Sequence, residues 1–125
     1  MRAPEQVWFV VGGGLAFLSV AAGAFGAHAL RARLSADALT VFETGVRYHM
    51  YHALALFAVA YAAQRWGTGM ASVAGLLFLV GVALFSGSLY ALSLTGVKNF
   101  GLITPFGGLA FLAGWVMLAA AALRG

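Results

Sequence analysis

Six consecutive residues, Arg47-Tyr48-His49-Met50-Tyr51-His52, hold most of the chemistry this chain has to offer, with Glu43 one helical turn before them and His28 further upstream. Imidazoles three apart, as at His49 and His52, are a ligand pair for a metal or haem iron when another helix adds a third. His28 is placed to do so, because it ends one apolar segment just before the next begins. A carboxylate beside histidines is also the equipment of a proton relay. Spacing divides the group, however. On a helix Glu43 and Arg47 share a face and form a charge pair, Tyr48 and His52 point nearly the other way, and His49 points a third way. The run therefore serves at least two different contacts.

Each chemical reading is incomplete. There is no cysteine, and the acidic residues number three, so a closed zinc site lacks ligands. The Arg47 cation keeps Glu43 ionised, which argues against proton exchange there. No nucleophile-elbow or metalloprotease spacing occurs. The expectation is a protein without enzymatic activity and without a cofactor. The run itself reads first as an interfacial band, because Tyr and His join apolar bodies to polar tips and Arg snorkels. The candidate functional cluster is His28, Glu43, Arg47, Tyr48, His49, Tyr51 and His52.

The segments that carry these residues belong in lipid. Of 125 residues, 63% are hydrophobic and 8% charged, and mean hydropathy is +0.97. A water-facing domain carries about 25% charged residues. The length is that of a single domain with about four spans of roughly 20 residues, expected near 7–30, 46–64, 70–94 and 105–123. An interfacial amphipathic stretch near 36–45 precedes or continues into the second, with Ser35 or Asp37 as cap and Gly45 as the place for any bend. The fold class is all-α, a polytopic four-helix membrane bundle. The first apolar segment is too long for a signal peptide, and Glu5 spoils the basic flank, so it reads as a span.

Small residues mark the expected contact faces between helices: Ser19, Gly23 and Gly26 in the first span, and Ala83, Gly87 and Ala91 in the third. Ser86, Ser88 and Ser93 are expected to return their hydroxyls to their own helix. Thr104-Pro105 opens the fourth span as cap and first helical residue. The net charge of +4 comes from basic residues scattered at segment ends, which leaves no basic face for nucleic acid. Arg2, Arg65 and Arg124 fall on one side and Arg31, Arg33 and Lys98 on the other, so charge bias does not orient the bundle.

Four stretches taken in order carry a resemblance: Gly23-Ala24-Phe25-Gly26-Ala27-His28, Tyr48 to Leu54, Phe85 to Tyr90, and Ile103 to Gly108 through Gly114-Trp115. Together they resemble the YgdD/YwdK-like family, small bacterial membrane proteins carrying a domain of unknown function. The resemblance implies a compact four-helix membrane domain in the bacterial inner membrane and brings no activity or catalytic residue with it. The functional expectation is an interaction role among membrane lipids, as an accessory subunit of a larger membrane complex or a lipid-interacting structural protein. The alternative is a small homodimeric transporter of a small or amphiphilic solute, and a homo-oligomer suits both.

Overall fold

Local signals set the helix ends. Pro4 opens α1, where a missing N–H costs nothing, and Gln6 Oε1 accepts the Ala3 N–H at 3.1 Å. Ser35 caps α2, its hydroxyl accepting the Ala38 N–H at 3.1 Å. Gly67 at φ 103° and Gly96 at φ 73° turn the chain out of α2 and α3 in backbone conformations that side chains disfavour. The computed structural model describes residues 3–125, so the Arg2 topology charge lies outside the described residues.

Among the described residues four helices result: α1 (Pro4–Leu30), α2 (Ala36–Trp66), α3 (Thr68–Thr95) and α4 (Thr104–Arg124), with a 3-10 turn at Lys98–Leu102. No strand occurs among the described residues. The last turns of α1, Gly26–Leu30, and the middle of α3, Val82–Ser86, are wound as π-helix. Among the described residues three helical segments, Pro4–Leu30, Thr68–Thr95 and Lys98–Arg124, are long and apolar enough to cross a membrane. The chain is a multi-pass membrane protein.

In the bundle α1 packs along α2 and α4 along α3, while α2 and α3 touch between them. The core runs from Trp8 through Leu56, Val59, Ala63, Ala71, Ala74 and Phe78 to Phe111. The Ala-rich side of α2 lets these helices approach closely, so that dispersion between packed atoms holds them where lipid removes the hydrophobic drive. Hydroxyls and an indole add cross-links. Trp8 Nε1 donates to Ser72 Oγ at 3.2 Å, and Ser19 Oγ to the Val46 carbonyl at 3.0 Å. Such bonds contribute about 0.6 kcal/mol each on average inside membranes.

Several features differ from the sequence expectations. α2 is one continuous helix with no break at Gly45, whose bare Cα instead accommodates Tyr90: a Cβ there would lie 2.9 Å from its ring. Ser86 does not bond its own helix. It is fully buried and donates to the Gly45 carbonyl at 2.7 Å, because the π-turn aims it at α2. Thr104 makes no side-chain cap and bonds Ser88 Oγ at 2.5 Å. Ala83 is exposed, whereas Gly87 and Ala91 are half-buried. Ala83 lies inside the π-turn Val82–Ser86, whose extra residue rotates the face before Gly87 by about 100°. The tight α3–α4 contacts use other glycines: Gly81 lies under the Phe111 ring, Gly107 against the Phe85 backbone and Gly114 under Phe78.

Candidate functional site

His52 stands on the buried side of α2, one turn past Tyr48. Its Nδ1 lies 2.7 Å from the Tyr48 carbonyl, and its Nε2 accepts the Trp115 indole N–H of α4 at 3.0 Å. A neutral ring protonated on Nδ1 satisfies both contacts at once. The ring lies flat on Phe111, centroids 3.6 Å apart and planes 6° off parallel, with Phe78 tilted against it at 5.4 Å. Neither nitrogen is free for a metal. The nearest chemistry His52 performs is to hold Trp115 in place.

His49, three residues earlier, faces the opposite seam. Its Nδ1 pairs with Tyr90 Oη of α3 at 2.8 Å. Its Nε2 is buried with no hydrogen-bond partner, and the Leu15 carbonyl of α1 faces the ring without closing a bond of good geometry. His28 is exposed on the π-turn that ends α1. The three histidines are not gathered, and no group of three His, Cys, Asp or Glu able to hold a metal occurs among the described residues.

Glu43 and Arg47 are exposed and line a shallow notch of about 300 Å³ with Gly23, Gly26, Phe42 and Val46, between α1 and α2. No ion pair joins them among the described residues: both side chains stand at the surface, where solvation competes with the pair. The first small-residue face lies beside this notch. Ser19 bonds α2, Gly23 sits against Val46, and Gly26 lies beneath the Phe42 ring, where a Cβ would come within 2.8 Å.

Tyr48 and Tyr51 open onto a different place. With His52, Phe85, Phe111 and Trp115 they line a groove of about 740 Å³ between α2, α3 and α4, completed by Pro105, Leu109 and Leu112. Tyr48 packs on Phe85 at 4.7 Å and on Tyr51 at 5.6 Å between centroids. The π-turn in α3 supplies Phe85, and the glycine face of α4 lets that helix come close enough to supply Phe111 and Trp115. The groove is open at the surface, since Tyr51, Leu109 and Leu112 are all more than half exposed. Its size suits a small molecule or a chain of one. Its wall is aromatic and aliphatic, and its one imidazole is already engaged.

The polar run in the sequence located Tyr48, Tyr51 and His52 but not their partners on α3 and α4. The available signal was the face Gly107, Phe111, Gly114, Trp115, where glycines admit a neighbour and aromatics fill the seam.

Residues 22–108 match the family described as "Protein of unknown function (DUF423)". The UPF0382 membrane protein YwdK of Bacillus subtilis is 48% identical over 120 residues, covering 95% of this chain and 98% of its own length. The UPF0382 inner membrane protein YgdD of Escherichia coli K12 is 39% identical over 108 residues, 86% of this chain and 82% of its own. No solved structure matches. With a family match over residues 22–108 and relatives 39–48% identical across most of its length, the chain belongs to the DUF423 (UPF0382) family of membrane proteins of unknown function.

Proposed function

We propose that this protein is a non-enzymatic, lipid-interacting component of the bacterial inner membrane, whose aromatic groove holds the hydrocarbon chain of a membrane amphiphile. The observation that carries this reading is the groove itself: about 740 Å³, walled by Tyr48, Phe85, Phe111, Leu112 and Trp115, and open at the surface of the bundle. An apolar slot open to lipid is filled by lipid unless a partner helix displaces it. Its single titratable wall residue spends both nitrogens on the bundle, which favours holding over chemistry. The transporter alternative needs a polar path, and Ser86, the hydroxyl nearest the middle of α3, is sealed against Gly45.

The same reading takes α2 as a fourth span. At 31 residues it is about 46 Å long, ample for the hydrocarbon core. Its composition falls short of an ordinary span because His49 and His52 are turned inward to protein, where polar side chains find partners.

Fluorescence tests the groove. In a variant keeping Trp115 as the only tryptophan (Trp8→Phe, Trp66→Phe), lipids brominated along the acyl chain should quench emission strongly, and Leu112→Phe should reduce that quenching by filling the slot. Quenching no greater than that of a variant with a lone tryptophan at Phe17, on the exposed side of α1, sinks the groove as a chain site. Co-purification of a stoichiometric protein partner from native membranes, with Trp115 shielded from lipid, replaces it with the accessory-subunit reading.

A further inference from the structure

The aromatic groove is only part of the seam between α2 and α4. A second slot of about 300 Å³ continues the seam toward the far end of both helices, walled by Ala58, Ala62, Trp66, Leu118, Ala119 and Ala122, among others. The seam stays open because α2 and α4 touch each other less than each touches α3. One residue, Trp115, lines both cavities. Its indole reaches from α4 to α2, where Nε1 donates to His52 Nε2 at 3.0 Å. The two slots are therefore separated by a single ring pinned across the seam.

Depth gives this bar its meaning. α4 has 21 residues, about 31 Å at 1.5 Å per residue, which matches a hydrocarbon core of about 30 Å. Trp115 is the twelfth of them, so its ring stands close to mid-depth. The groove follows α4 from Pro105 to Trp115, a length of about 15 Å, which is the hydrocarbon thickness of one leaflet. Tryptophans that anchor a protein sit at the interface instead. An indole N–H at mid-depth needs a partner, and His52 supplies it. Nor is Trp115 core filling, since it is 45% exposed. Beyond it Ala58, Ala62 and Ala119 are too small to close the seam.

We propose that Trp115, pinned by His52, sets the length of chain the groove accepts: an acyl chain enters at the Pro105 end and stops at the indole, within one leaflet. The inference rests on the groove being a chain site. The test uses the full chain, purified in mild detergent and exposed to phosphatidylglycerols that carry lauroyl, myristoyl, palmitoyl or stearoyl chains in equal amounts. Native mass spectrometry then reads which lipid stays bound. Hydrophobicity alone favours the longest chain. Wild type should instead retain the myristoyl lipid several-fold over the stearoyl lipid. Trp115→Ala should abolish that preference by joining the two slots, and adding Ala119→Phe, which refills the second slot, should restore it. Leu112→Phe raises the floor of the groove by a turn and should shift the preference toward lauroyl. Leu112 is 65% exposed, so this variant decides the matter even where Trp115→Ala does not fold. Lipid bound without regard to chain length by wild type overturns the stop, as does an unchanged length profile in Leu112→Phe. Wild type retaining no lipid of any length removes the groove itself as a chain site, a separate failure of the earlier reading.

Discussion

His52 joins two helices through one ring. Its Nε2 accepts from Trp115, its Nδ1 bonds within α2, and its face stacks on Phe111. Removing either partner of the His52–Trp115 bond leaves a polar atom facing the other's place, which typically costs about 1–3 kcal/mol when the atom is buried. His52→Ala should therefore destabilise strongly. Trp115→Phe should cost less, because Trp115 is partly exposed and its ring volume is largely kept. The double variant should fall short of the sum by about 0.5 kcal/mol or more, measured by thermal unfolding in one detergent. Additive losses would mean the bond carries no coupling. Ser86→Ala should cost only about 0.6 kcal/mol, since the Gly45 carbonyl also accepts within its own helix.

At the scale of elements, glycine position decides the sign of a substitution. Gly13 lies in the middle of α1 with open space around it, so Gly13→Ala should stabilise by about 0.5–1 kcal/mol through helix propensity alone. Gly107 of α4 lies directly on the Phe85 backbone. Gly107→Ala must push α4 away from the α3 π-turn, costing about 1–3 kcal/mol as overpacking does. Because Phe85 and Phe111 line the groove from those two helices, the same change should also weaken quenching of Trp115 by brominated chains. Unfolding temperatures of the two variants, moving in opposite directions, are the check. Ala83, which shares the i, i+4 spacing of a packing stripe, is exposed because of that π-turn. Ala83→Leu should be close to neutral in the isolated bundle and damaging only where a further subunit covers that face.

For the whole molecule the open question is the course of α2. If all four helices cross the bilayer, the α1–α2 and α2–α3 connections emerge on opposite sides. The chain has no cysteine, so Arg33→Cys and Thr68→Cys each give a single thiol on an exposed position. A membrane-impermeant maleimide added to sealed right-side-out vesicles should label one of them and not the other. Labelling of both from one side would place α2 along the surface and remove it as a span.

Much of this molecule follows from its sequence because the causes are local. Composition selects lipid as the solvent, since so few charges cannot cover a water-facing surface. Helix ends follow from Ser35, Gly67 and Gly96, whose capping and backbone preferences act over a few residues. The division of Tyr48, His49 and His52 among different faces follows from helical periodicity alone. What periodicity does not contain is the partner on each face. Trp115 is 63 residues from His52 and Tyr90 is 41 from His49, and nothing local distinguishes them from other aromatics in the same helices. The π-turn in α3, where Ser86 meets α2 and Phe85 meets α4, shifts the phase on which a stripe read from sequence depends. The sequence determined the solvent, the helices and the direction of each side chain. Packing decided that His52 is a bonded strut beside an apolar groove, because a ring's role depends on what meets both of its nitrogens.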